Sequence, residues 1–337
     1  MASRSHVTIR DVAALAGVSH QTVSRVINGS ERVLPETKAR VEAAIAELDY
    51  RPNAIAQSMA KGRSGILACI APNLTDYTFA SLINGAEIEA RQHGYFLLSA
   101  SAPDENTFVA LMDELITSRR TEALMVINPF ADGRYTHLPP DFPVVFGGAR
   151  PREDATNSVA LNDEAVGLAA TDHLLSLGYR EIGLITGPLA EDCSQDRSLG
   201  YETALQAAGV IPEPTWIIEG DWSARSGYDA LMAFSRIGDI PGAIFAQNDL
   251  MAAGVLRAAH DLGLSVPEQL AVIGVDDIPM AAYLEPPLTT IRQDFLQIGR
   301  EAVRLLIHSL EEPTAPRQHL RLPAELIVRR STGFPLE

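Results

Sequence analysis

The sequence predicts an α/β chain whose body is two doubly wound parallel sheets, preceded by an all-α head of three short helices. Two observations carry this expectation. Past residue 63, short continuous apolar runs alternate with helical patterns, as parallel strands covered on both faces do. Before it, compact segments of helical periodicity are joined by tight turns, beginning with "TIRDVAALAGVSHQTVSRVING" at residues 8–29.

In the head, Thr8 followed three residues later by Asp11 fits a capping box and starts a helix at Ile9. Val12, Leu15 and Ala16 mark its expected buried stripe, and Gly17 ends it. Ser19 is placed to cap a second helix, which buries Val23, Val26 and Ile27 and stops at Asn28-Gly29. Pro35 suits the first turn of a third helix, whose Val41, Ala44, Ile45 and Leu48 share one face. Three short helices with a Gly-containing turn between the first two is the helix-turn-helix layout. His20, Gln21, Thr22, Ser24 and Arg25 are then left over on the second helix. Gln21 can pair bidentately with adenine and Arg25 with guanine, while the hydroxyls of Ser19, Thr22 and Ser24 suit phosphates or base edges. The same side chains would also serve as an ordinary solvated face. After Pro52, the stretch Asn53–Ala60 has good helix formers and an Asn in capping position. Its length is well below the ~12–15 residues needed for marginal helix stability in water. It is expected to fold only when held, with a plain linker as the alternative.

In the body the apolar runs are "ILACIA", "YFLLSAS", "ALMVIN", "PVVFGG", "EIGLITG", "TWIIEG", "AIFAQND" and "LAVIGVDD". They exceed what one modest sheet uses, and "GYREIGLITG" reads as a fresh start, so two lobes are expected. Ligands of such sheets bind beyond the carboxyl ends of the strands. The residues falling there are Asp76 and Phe79, Arg197, Trp222, Asn248-Asp249, Asp276-Asp277 and Gln293. A flat aromatic with a guanidinium, carboxylates and amides suits a polyhydroxylated ring. Each residue also has a structural reading: Asp249 and Asp277 as helix caps, Trp222 as core, Arg197 as half of an ion pair.

Composition limits the alternatives. The 337 residues carry a net charge of −16, yet residues 1–63 hold nine Lys/Arg against six acids, a net +3, which leaves −19 on the rest. A mildly basic head on an acidic body confines phosphate contacts to the head. No apolar run is long enough to span a membrane, and the N-terminus has no apolar signal segment. Cys69 and Cys193 have no CxxC spacing, so a cytoplasmic location without disulfide or zinc site is expected. There is no GxGxxG after a strand, no Walker A, no GxSxG and no HExxH, and the eight His are scattered. Asp276-Asp277 could serve as a carboxylate pair, but neighbours on a strand end point to opposite sides. The expectation is a regulator with no cofactor and no metal, rather than an enzyme.

The head, with "RVEAAIAELDYRPNAIAQSMAKGRS" after it, resembles the LacI/GalR (lactose repressor) family of transcription factors. The resemblance covers nearly the whole chain. It implies a helix-turn-helix domain at 1–50 and a hinge helix with linker at 51–63. The core it implies resembles periplasmic sugar-binding proteins, with one lobe from 64–163 and 294–322 and the other from 164–293 and 323–337. It makes His20, Gln21 and Arg25 the base-reading trio, and Thr8, Ser19, Thr22, Ser24, Asn28 and Asn53 backbone or supporting contacts. In the hinge, Ala56 would lie against DNA and Met59 would be the apolar wedge that opens a minor-groove base step. It assigns effector contacts to Asp76, Phe79, Arg197, Trp222, Asn248, Asp276, Gln293 and Phe295. "GDWSARSG" resembles the family's galactoside-binding member, in which that Trp packs on the sugar. The implied function is a homodimeric repressor, released from a pseudo-palindromic operator by a small, galactoside-like sugar. A purine, nucleoside or protein corepressor is the alternative, and a sugar-processing enzyme with a DNA-binding head a remoter one. Two departures stand out. Leu34 occupies a position where the family often has a capping Ser. Gly147-Gly148-Ala149 stands where sugar-binding relatives tend to have an acid, so a hydroxyl contact is missing or comes from elsewhere, such as Asp76.

Overall fold

The computed structural model describes residues 7–30, 32–51, 63–127, 133–148, 150 and 157–333. The chain divides into two compact units, Met1–Gly65 and Ile66–Glu337. Asn53, Ala56 and Met59 of the expected hinge, and Ala149, lie outside the described residues.

The first unit contains α1 (Ile9–Ala16), α2 (His20–Ile27) and α3 (Pro35–Glu47). The backbone N–H and hydroxyl of Thr8 both donate to Asp11, at 2.8 and 2.7 Å. The Ser19 hydroxyl accepts from the Thr22 amide at 3.2 Å. Gly17 has φ +64°, as the left-handed end of α1 requires. Leu34 precedes α3 without any side-chain cap and is 74% exposed. The core joins Val12, Ala13, Ala16, Val23, Val26, Val41 and Ala44, with Ile27, Ile45 and Leu48 partly buried around it. One expectation is corrected: Leu15 is 46% exposed, and Ala13 is buried in its place. At 100° per residue, Val12, Ala13 and Ala16 span one arc, and Leu15 falls beyond its edge.

The second unit holds two six-stranded sheets. The first has order β11-β5-β4-β3-β1-β2. Its strands are β1 (Ile66–Ala71), β2 (Phe96–Ser101), β3 (Ala123–Ile127), β4 (Val144–Gly147), β5 (Asn157–Leu161) and β11 (His319–Leu322), all pairing parallel. The second has order β12-β10-β9-β8-β6-β7. It contains β6 (Ile182–Thr186), β7 (Ile217–Glu219), β8 (Ala243–Ala246), β9 (Ala271–Asp276), β10 (Thr289–Arg292) and β12 (Glu325–Ile327), and only β12 runs antiparallel. The central strands β3, β4, β6, β8 and β9 are buried at every position, as two-sided covering demands. At the edge, β2 leaves Phe96 76% exposed. β5, β10, β11 and β12 are not among the apolar runs read from the sequence, because they are short and carry polar residues.

The helices of this unit are α4 (Tyr77–Gln92), α5 (Glu105–Thr117), α6 (Asp163–Ser176), α7 (Asp192–Ala207), α8 (Ala224–Ile237), α9 (Asp249–Leu262) and α10 (Phe295–Glu311). Six of them pack as three close pairs, each closed by glycines from both sides. A Cβ on Gly85 would overlap Leu296 and one on Gly299 would overlap Leu82, which joins α4 to α10. Gly167 lies against the Arg197 backbone and Gly200 against Glu164, which joins α6 to α7. Gly227 lies against Met251 and Gly254 against Ala224, which joins α8 to α9. Backbone contact without intervening side chains fixes each pair as a stiff unit. Among the described residues no helix is long and apolar enough to cross a membrane.

Candidate functional site

On α2, the hydroxyls are engaged locally and the larger polar side chains are not. Ser19 Oγ and Thr22 Oγ1 are 3.0 Å apart. The Asn28 amide donates to the Ser24 carbonyl at 2.9 Å and to the Ser24 hydroxyl at 3.3 Å. These four residues therefore brace the two ends of α2. His20, Gln21 and Arg25 are exposed and make no hydrogen bond or ion pair among the described residues. His20 and Gln21 stand at the N-terminus of α2 and Arg25 in its last turn, free donors and acceptors of the kind that major-groove readout uses.

In the second unit, a cavity of about 320 Å³ opens at the carboxyl ends of the strands. Both sheets follow the 2-1-3-4-5 winding, which leaves a crevice at its switch point. Asp76, Phe79, Arg197, Trp222, Asn248, Asp276, Gln293 and Phe295 all line this one cavity. Six helices begin at its wall. Asp76 caps α4, accepting from the Thr78 and Phe79 amides at 2.8 and 3.3 Å. Asn248 caps α9, accepting from Met251 N at 2.8 Å while its amide donates to the Trp222 carbonyl at 3.0 Å. Asn162, Ser223 and Asp294 cap α6, α8 and α10.

Arg197 is the hub. Its Nε and Nη2 both lie 2.8 Å from Asp163 Oδ1. Its Nη1 donates to the Gln247 carbonyl at 2.6 Å, and Nη2 to Gln293 Oε1 at 3.4 Å. Its Cζ is 5.9 Å from the Trp222 ring centroid, within cation–π range. Burial alone would lower the guanidinium's pKa; Asp163 leads the carboxylates that reverse this and raise it. Asp276 is 7% exposed and ends β9 with φ +112°, a strained value for a non-glycine. Burial holds its carboxyl well above the usual range, against the pull of Arg197. The side-chain nitrogen of Gln293 is buried without a partner among the described residues. Trp222 has φ +68° and packs against the core of the second lobe, while a Cβ on Gly187 would overlap its ring. Trp222 is therefore partly core and also cavity wall.

The two Asp-containing pairs separate by environment. Asp249 is fully buried; it accepts from Thr290 Oγ1 at 2.6 Å and the Ile278 amide at 2.9 Å, so it serves the fold. Asp277 is held by Arg292 and Arg329. Sequence reasoning passed over Asp163, Glu191, Cys193 and Asp221, all of which line the cavity. A signal for Asp163 was present, because Asn162-Asp163 repeats Asn248-Asp249 at the start of a helix. Glu191 carries no comparable signal. Burial raises its carboxyl pKa, against a hydrogen bond from the Trp222 indole N–H at 3.0 Å. Among the described residues no His/Cys/Asp/Glu cluster could hold a metal ion.

The comparisons with known proteins agree with this layout. Residues 8–53 match the family profile "Bacterial regulatory proteins, lacI family", and residues 171–332 match a periplasmic binding protein-like domain. The chain is 32% identical to the HTH-type transcriptional repressor PurR of Photobacterium profundum, over 96% of this chain and 98% of that protein. It superposes on a Lac repressor dimer bound to operator and the anti-inducer ONPF with a TM-score of 0.89, at 31% identity, covering 98% of this chain and 100% of that one. A second match is the transcriptional regulator CelR in complex with cellobiose, with a TM-score of 0.74 and 31% identity, over 96% of this chain and 99% of that one. With the exposed polar side chains of α2 in one unit and a two-lobed cavity in the other, this chain belongs to the lacI family of bacterial regulatory proteins and is a DNA-binding transcriptional repressor.

Proposed function

We propose that a small, uncharged, polyhydroxylated effector of sugar type binds in the cavity and releases the repressor from its operator. One observation carries this reading. A buried guanidinium, a buried carboxylate at Asp276 with no ion pair among the described residues, an amide nitrogen of Gln293 with no partner among them and an indole ring converge on about 320 Å³, room enough for a small ligand. Alternating donors and acceptors beside an apolar face are what a sugar ring requires. The cellobiose-bound CelR relative supports the same class.

In this mechanism His20, Gln21 and Arg25 read base edges. Thr8, Ser19, Thr22, Ser24, Asn28 and Asn53 fix the register on the phosphates or support the readers. Ala56 and Met59 belong to a hinge that folds only on DNA, beside the hinge of a second subunit. The chain acts as a homodimer in the cytoplasm. Its lobes divide as 64–163 with 294–322, and 164–293 with 323–337. Effector binding changes the angle between lobes and thereby separates the hinges. It can act only through unequal affinity for the two states, typically about 1–3 kcal/mol of coupling.

The test is a selection of bound sites from random duplex DNA, followed by a panel of neutral sugars and purine bases added to the complex. A sugar that weakens operator binding by fivefold or more, about 1 kcal/mol, supports the reading. A purine base that tightens binding, with no sugar active, overturns it.

A further inference from the structure

Building on the reading of the cavity as an effector site, we propose that Glu191 sets its charge specificity. Glu191 holds Trp222 in place, contacts the effector, and favours neutral or amine-bearing polyols over their carboxylated and phosphorylated counterparts.

The cavity is short of cationic charge. Among its described lining residues Arg197 is the one basic side chain. A guanidinium has five N–H donors, and Asp163, Gln247 and Gln293 take three of them, with Asp163 also 2.8 Å from Nη2. Asp163 also answers its charge. Glu191 and Asp276 are each more than nine-tenths buried, at 8% and 7% exposure, and neither forms an ion pair among the described residues. Five of the six helix starts, those of α4, α6, α8, α9 and α10, spend amides on their own caps, and the sixth, the uncapped start of α7, has the acids Glu191 and Asp192 at its N-terminus. An anionic ligand would meet buried carboxylates with no unmatched cation beside them.

Glu191 is the exception among the caps. It occupies the N-cap position of α7, yet its side chain accepts nothing from its own helix. The carboxylate turns to Trp222 instead, and Oε1 accepts the indole N–H at 3.0 Å. Among the described residues its other oxygen has only the Cys193 thiol, at 3.9 Å. Trp222 is otherwise confined by Gly187 behind its ring and by Asn248 on its carbonyl. Glu191 thus fixes the polar edge of the ring and keeps an oxygen free for a hydroxyl or ammonium of the ligand, while an acid group placed there is repelled.

The chain has two tryptophans, so Trp216→Phe leaves Trp222 as the sole indole reporter. In that full-length background without ligand, Glu191→Ala should shift the Trp222 emission. Glu191→Gln should restore it, since the amide oxygen accepts the same N–H. The protein is then titrated with matched sets: galactose, galactosamine and galacturonate, then glucose, glucosamine, glucuronate and glucose 6-phosphate. For any neutral sugar that binds, the acidic partner should bind at least about tenfold more weakly, and Glu191→Gln should narrow that gap to roughly threefold. Equal binding of the acidic sugar, a gap unchanged in Glu191→Gln, or an unshifted emission in Glu191→Ala overturns this proposal alone. Failure of every neutral sugar to bind overturns it together with the sugar reading.

Discussion

Replacing Gly167 by alanine tests whether the packing of α6 on α7 holds the cavity's central cation in position. A Cβ at Gly167 would lie 2.8 Å from the Arg197 carbonyl carbon and 2.9 Å from its Cα, and closer still to the carbonyl oxygen. Carbon atoms in contact sit at about 3.5–4.0 Å, so the helices must part by roughly 1 Å. Overpacking of this kind costs about 1–3 kcal/mol. For a unit of this size that is a fall in melting temperature of roughly 2–10 °C. The displaced backbone is that of Arg197 itself, so its bonds to Asp163, Gln247 and Gln293 should loosen together. The assay is thermal unfolding of the full-length protein, alongside the effector concentration that half-releases the operator. Gly242→Ala is the control: its Cβ would meet nothing nearer than 3.6 Å and its φ is not left-handed, so stability should hold or rise by about 0.4–1 kcal/mol. A Gly167→Ala protein that melts and responds like the parent would refute the argument that this contact positions Arg197.

Three further outcomes are expected. Arg25→Ala should forfeit about 1–3 kcal/mol of discrimination at one base pair, leaving weak, salt-sensitive binding; an unchanged footprint on the selected site would remove Arg25 from the readers. Leu34→Ser should supply the missing cap of α3 and stabilise the head by about 1 kcal/mol. Hydrogen exchange from α3 in the full chain should slow roughly fivefold, and no slowing would mean that the helix start is satisfied in another way. The third concerns pH. Burial pushes the Asp249 pKa from 3.8 up to about 7, against the hydrogen bonds from Thr290 and Ile278. The folded state then keeps a proton that the unfolded chain releases near pH 4. This contribution to stability is present below pH 4, declines as pH rises through 7, and is level above it. Asp249→Asn has no such proton, so its unfolding free energy in urea should fall less between pH 5 and 8 than the parent's. Parallel slopes would contradict the assignment.

Much of the site was legible because its residues follow strands in a recognisable order. Asp76, Arg197, Trp222, Asn248, Asp276 and Gln293 each fall at a strand end or at the start of the next helix, and they line a single cavity. What escaped was short or distant. β12 has three residues and β11 four, with polar side chains, so neither shows a periodicity. Leu15 fits a helical spacing that three arc positions could satisfy, and only packing decides among them.

The sequence by itself determined the helices of the head, their caps and stops, and the alternation that makes two parallel-sheet lobes. These depend on neighbours within about four residues or on strand-length apolar runs, and both are written locally. Only the tertiary structure decided that Asp163, 34 residues before Arg197, pairs with that guanidinium. It alone turned Glu191 from its own helix to an indole 31 residues away, and sent Asp249 into the fold while Asp276 faces the cavity. Like carboxylates acquire different roles because burial and partner set their charge, and those are properties of the packed chain rather than of the residue.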